Sequence, residues 1–224
     1  MKVKKKMSRA VLFDLDGTLL DTSKGVVSSV KYTIKELGFM MPSEEELESF
    51  IGPPIKNKMM EMYHLTEDEA LKAMNTFRTH YAVSDLFKAD VYDGLEKVLK
   101  DLRKEGYHLG VATYKREDMA QSLLKKKEIS KYFDVIHGAD AEGKLSKADV
   151  VNLCIRDLDV ENHNVIMIGD SSNDAVGAEK ADTKFIGVTY GFGFKTKEDI
   201  KQYRNVGIAE NCAEIATCIR NINW

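Results

Sequence analysis

Arg9-Ala10-Val11-Leu12-Phe13-Asp14-Leu15-Asp16-Gly17-Thr18-Leu19-Leu20-Asp21 is the stretch from which the fold is read. A run of branched and aromatic residues closed by a glycine predicts a buried strand, and in an open α/β sheet ligands gather beyond the carboxyl ends of such strands. Asp14 and Asp16 fall at that edge. Residues two apart on an extended segment point the same way, so both carboxylates face one small volume while Leu15 turns inward. Two like charges held that close repel unless a divalent cation lies between them or one of them keeps its proton. Gly17 allows a sharp exit turn. A plain polar turn after a strand is the competing reading, since Asp and Gly are common turn residues.

On the carboxyl side of this stretch the pattern changes to helix. Val26, Val27, Val30, Ile34 and Leu37 recur at helical spacing, with Thr22 or Ser23 as N-cap and Gly38 as stop. Helical patterns continue over 43–50, 55–63 and 66–81, broken by Pro42 and by Gly52-Pro53-Pro54, and no strand is expected between Asp21 and Ala89. Such a block, inserted after one strand, predicts a separate all-helical unit over 22–89, with the α/β core made of 1–21 and 90–224.

Beyond Val91 strands and helices alternate. Helices are expected over 93–105, 116–127, 146–158, 174–180 and 212–222, and strands over 107–112, 133–136, 164–168 and 184–188. This alternation predicts a parallel, doubly wound, Rossmann-like sheet. Three later strand ends carry polar groups: Thr113-Tyr114-Lys115, then Gly143-Lys144-Leu145-Ser146-Lys147, then Gly169-Asp170-Ser171-Ser172-Asn173-Asp174. Taken singly each has a bland reading: Thr113 as a helix cap, Lys147 as a lysine in a helix's first turn, Asp170 and Asp174 as turn polarity.

Bulk properties narrow the function classes. With 224 residues the chain holds one sizeable α/β domain, or a core and a modest insertion. Its 33 basic and 36 acidic residues leave a net charge of −3, which argues against a general nucleic-acid or membrane-surface binder. Three cysteines without a CxxC pair argue against a disulfide framework or a zinc site. The basic segment Met1 to Lys6 is not followed by a secretory hydrophobic run, and no stretch nears the roughly 20 apolar residues a membrane helix needs, so a cytoplasmic protein is expected. The sequence does not give the oligomeric state.

Four polar segments in this order, beginning with Asp14-Leu15-Asp16-Gly17-Thr18, resemble the motifs of the haloacid dehalogenase-like phosphohydrolase superfamily, and the resemblance covers nearly the whole chain. It implies a phosphatase acting on a small phosphorylated metabolite, with Asp14 as nucleophile forming an aspartyl-phosphate and Asp16 as general acid and base. Magnesium would lie on Asp14, the main-chain carbonyl of Asp16 and Asp170, with Asp174 orienting Asp170 or a metal-bound water. Thr113 would bind a phosphoryl oxygen and Lys147, preferred over Lys144, would neutralise charge. To act as an acid, Asp16 needs surroundings that keep its proton on.

The helical unit resembles the cap of phosphoglycolate phosphatases and 5'-nucleotidases. That makes Lys56, next to Gly52-Pro53-Pro54, a candidate substrate contact, with Thr18, Tyr114 and Lys115 beside it. Tyr114 has a second reading as packing beneath the cap. Relatives on the same fold also include sugar-phosphate mutases and phosphonate hydrolases. A phospho-accepting signalling domain shares the aspartates, hydroxyl and lysine, but it lacks a cap and carries its acceptor later in the chain.

Overall fold

The computed structural model describes residues 8–224, so the basic segment Met1 to Lys6 lies outside the described residues. Strand β1 (Ala10–Phe13) runs into a tight loop, and a two-residue strand β2 (Leu20–Asp21) leads into four helices: α1 (Ser23–Glu36), α2 (Glu44–Glu48), α3 (Ile55–Tyr63) and α4 (Glu67–His80). A π-helical turn, Tyr81–Asp85, ends the block, and β3 (Asp90–Val91) pairs antiparallel with β2. Then follow α5 (Leu95–Lys104), β4 (His108–Arg116), α6 (Glu117–Lys126), β5 (Val135–Ala139), α7 (Lys147–Leu158), β6 (Val165–Gly169), α8 (Ser172–Lys180), β7 (Lys184–Val188), α9 (Lys197–Lys201), β8 (Gly207–Ala209) and α10 (Cys212–Arg220).

Six strands form one sheet in the order β5-β4-β1-β6-β7-β8, and every pairing in it is parallel. From β1 the chain builds outward to β4 and β5 on one side and to β6, β7 and β8 on the other. The order therefore switches at β1, and the crevice at its carboxyl end is where a ligand is expected. Both faces are covered: Val11 and Phe13 join one apolar cluster, while Ala10 and Leu12 join the other. That alternation is what a strand buried on both faces must show. The helical block belongs to the first cluster through Val26, Ile34, Phe50, Met59 and Phe77.

The expected alternation is present, with differences that have local causes. β4 runs on to Arg116, past the expected end at Ala112, and carries an irregular register against β5 between Ala112 and Arg116. Strand β8, helix α9 and the β2–β3 pair were not expected, because three, five and two residues are too few for a periodicity to register. Thr22 occupies the N-cap of α1 without a side-chain capping bond; its hydroxyl is used elsewhere. Ser146 does cap α7, in a reciprocal box with Asp149.

Candidate active site

The site assembles at the carboxyl ends of β1, β4 and β6. The Asp14 main-chain N–H donates to the Ile168 carbonyl (2.8 Å), which fixes the first residue past β1 against the end of β6. The loop then closes on itself, with the N–H groups of Leu19 and Leu20 both donating to the Leu15 carbonyl at 3.0 Å. Gly17 adopts φ 79°, and a Cβ there would lie 2.2 Å from Asp170 Oδ2, so conformation and space both demand glycine. Gly191 is as constrained: its Cβ would stand 2.4 Å from both Asp170 Oδ2 and the Gly17 carbonyl.

Asp14, Asp170 and Asp174 are buried, and each offers a carboxylate oxygen within 4.8 Å of the others. Lys147 Nζ bridges two of them, at 2.6 Å from Asp14 Oδ1 and 2.7 Å from Asp174 Oδ1. The second oxygen of Asp174 accepts from the Ser171 main chain (3.0 Å) and hydroxyl (2.6 Å), so both its oxygens are engaged. Asp170 differs. Its Oδ2 accepts from the N–H groups of Phe192 (2.7 Å) and Gly193 (3.1 Å), and no cation pairs with it among the described residues. Three carboxylates therefore face one ammonium in a water-poor site. Burial pushes Asp14 well above the usual carboxylate range, against the pull of Lys147, and Asp174, Asp170 and Asp16 push it the same way. Burial and then Asp174 raise Asp170 likewise. Fully ionised, this all-oxygen donor set carries two negative charges beyond what Lys147 offsets, which fits a hard divalent cation.

Asp16 stands apart from this trio. Its Oδ1 receives the Thr22 hydroxyl (2.6 Å) and lies 3.1 Å from Lys115 Nζ, and that ammonium also donates to the Tyr81 hydroxyl (3.0 Å) from 4.6 Å above the ring centroid. A cation and a hydroxyl thus touch Asp16 directly. Sequence reasoning missed Thr22 and Tyr81, whose contacts join residues far apart in the chain or otherwise read as cap and core.

The remaining candidates separate into three places. Thr113 is buried in β4, the strand paired with β1, and its Oγ1 accepts from the Lys115 N–H at 3.2 Å. Tyr114 accepts from the Lys147 main chain (2.9 Å) and also lines a cavity against Asp16 that Lys56 and Lys115 line as well. Lys56 pairs there with Glu67 at 2.6 Å. Thr18 is fully enclosed, with a hydroxyl that has no hydrogen-bond partner among the described residues, while its carbonyl takes the Tyr190 hydroxyl at 2.9 Å. Lys144 is exposed, whereas Lys147 is buried against Asp14.

The chain is similar to known proteins along most of its length. A family model described as haloacid dehalogenase-like hydrolase matches residues 11–188. A 5'-nucleotidase from Pseudomonas aeruginosa is 31% identical over 207 residues, covering 92% of this chain and 91% of that protein. A phosphoglycolate phosphatase from Nitrosospira multiformis is 29% identical over 192 residues, covering 82% and 84%. The crystal structure of a predicted phosphatase from Clostridium acetobutylicum superposes with a TM-score of 0.91 at 36% identity, covering 97% of this chain and 100% of that one.

Proposed function

The chain belongs to the haloacid dehalogenase-like hydrolase family, and we propose that within it the protein is a magnesium-dependent phosphatase that cleaves a small phosphate monoester through an aspartyl-phosphate on Asp14. The observation that carries this reading is the excess of buried carboxylate over ammonium around Asp14. It leaves a nucleophile whose charge is half neutralised by Lys147 and a place for a divalent cation to do the rest. Asp14, Asp170 and the main-chain carbonyl of Asp16 would hold that cation, because both Asp174 oxygens are already taken by Lys147 and Ser171. Bound there, magnesium supplies positive charge for the phosphoryl oxygens and for Asp14 alike.

The chain's own groups do the rest. The Asp14 carboxylate attacks phosphorus, Lys147 neutralises the charge that gathers there, and Thr113 holds a phosphoryl oxygen. Asp16 gives a proton to the departing alcohol oxygen and later takes one from the water that cleaves the acyl phosphate. The helical unit over 22–89 acts as a cap on the core formed by 1–21 and 90–224. It walls the leaving-group side with Lys56 opposite Tyr114 and Lys115, and the β2–β3 pair is its hinge. Thr18 acts from beneath, by holding the loop that carries Asp16. We read the protein as cytoplasmic. This agrees with three cysteines that are all free, and no helix among the described residues is long and apolar enough to cross a membrane.

Phosphate release from a panel of monoesters, with magnesium and then with chelator, tests the reading beside an Asp14→Asn variant. Release that requires magnesium and vanishes in the variant is expected, together with an acid-stable, hydroxylamine-labile phosphoryl group on the wild-type protein after quenching. Equal release by wild type and variant would overturn it.

A further inference from the structure

The cavity against Asp16 has four cations in its wall: Lys56, Arg78, Lys115 and Arg116. Three of them have carboxylate partners. Lys56 pairs with Glu67 (2.6 Å), Lys115 with Asp16 (3.1 Å) and Arg116 with Asp118 (2.5 Å). Arg78, from the inward side of α4, has no ion-pair partner among the described residues. Its hydrogen bonds run to main-chain carbonyls only, from Nη1 to Ala141 and from Nη2 to Asp140 (3.5 Å), and neither uses Nε. A guanidinium has five N–H donors, so most of its capacity is unspent. Burial, and next the neighbouring Arg116, lower its affinity for its proton against the pull of Asp140, Asp118 and Glu142, none of whose carboxylates pairs with it directly. Gly143 lies beside it without a side chain: a Cβ there would still be 3.9 Å from Arg78 Nη2. Between the cations the wall is apolar, built from Phe50, Ile55, Met74, Phe77, Met119 and Leu145.

We propose that Arg78 is a specificity-determining residue that receives a second anionic group, a carboxylate or a phosphate, on the leaving-group portion of the substrate. This rests on the phosphatase reading and narrows it. A half-buried guanidinium can bind such a group through two parallel hydrogen bonds, and the apolar wall selects a short hydrocarbon stem between that anion and the scissile phosphate. A neutral leaving group would leave Arg78 covered but uncompensated when the cavity closes, which is the penalty that sets selectivity.

Binding of non-hydrolysable phosphonates separates this inference from the activity. Phosphonoacetate, 3-phosphonopropionate and 4-phosphonobutyrate are titrated calorimetrically into the magnesium-loaded protein beside alkylphosphonates of equal length. A third arm uses propane-1,3-bisphosphonate. At the best length the wild type is expected to prefer the dianionic-ended ligand by about 10- to 100-fold. Whichever of the carboxylate and bisphosphonate arms binds tighter identifies the group. Arg78→Gln, which keeps one donor for the Ala141 carbonyl, should collapse that ratio toward one. Arg78→Lys should keep part of it, and it decides the matter if the glutamine variant folds poorly. Equal affinity of the wild type for both series overturns the inference. So does an Arg78→Gln variant that weakens both series by the same factor, since that is the signature of a clasp between helix and core loop. Failure to release phosphate from any ester would instead count against the phosphatase reading and leave these ratios readable.

Discussion

Asp170 shows how much of this site is made by residues that carry no chemistry. Its Oδ2 is fixed by two main-chain N–H groups from 192–193, and that loop approaches only because Gly17 and Gly191 have no side chains. A Gly191→Ala substitution would place a methyl group 2.4 Å from the Asp170 carboxylate and from the Gly17 carbonyl. One of the two must move. The expected cost is about 1–3 kcal/mol in denaturant melts, the range for overfilling a packed site. Magnesium affinity should fall further than stability does if Asp170 holds the ion, as proposed. Calorimetric titration checks this, and an unchanged affinity would show that Asp170 does not hold the ion. Tyr81 offers a second reading of the same kind. Tyr81→Phe removes the acceptor for Lys115 but keeps the ring beneath it, so it should lower turnover without shifting the melting temperature by more than about 2 °C.

The π-helical turn Tyr81–Asp85 is the element on which the helical block is pinned, and nothing in the sequence distinguishes it from the end of α4. It carries Asp85, which is 1% exposed and accepts from Ser29 Oγ (2.7 Å) and Lys88 Nζ (2.7 Å), with His80 Nε2 at 3.5 Å. Burial pushes the Asp85 carboxyl up, but the bonds from Lys88 and Ser29 outweigh it and hold the group below the ordinary range. A depressed carboxylate contributes stability that is present above its unfolded value and lost as pH falls through its folded one. Asp85→Ala should therefore cost about 1–3 kcal/mol near neutrality, and less near pH 3. Urea melts at the two pH values measure the difference.

The strand segments that precede Asp14, Thr113 and Asp170 were legible because apolar runs stop abruptly at polar residues, and so was the capped start of α7 that delivers Lys147. What could not be read was contact across the chain. The Lys115–Asp16 pair spans about a hundred residues, Thr22 abandons a helix cap to reach Asp16, and Arg78 is a charged residue beside the apolar inward face of its helix. Periodicity reports which face is buried, not which buried groups meet.

The whole molecule is organised so that its most strained charges lie where sheet, loop and helical block converge, and this makes stability depend on pH and metal together. Asp14 and Asp170 both hold their protons more tightly than free carboxyls, with Asp14 pushed up to about 8. A group whose folded value is raised contributes stability that is complete below its unfolded value and is lost as pH climbs through the folded one. In the absence of divalent cations the melting temperature should therefore fall between about pH 5 and pH 8, where most proteins are near their maximum. Magnesium should reverse the slope, since it needs the ionised carboxylates and displaces their protons. At a hundredfold excess over Kd it adds about 2.7 kcal/mol, which for a chain of this size is about 5–10 °C. Asp14→Asn removes one of the three competing charges, so its metal-free form should show a shallower fall with pH and a smaller rise on adding magnesium. Thermal melts across pH, with magnesium and with chelator, read all of these slopes in one series. A metal-free wild type whose melting temperature is flat or rises from pH 5 to 8 would mean that the carboxylates around Lys147 are already balanced, and the argument for a cation between them would lose its physical basis.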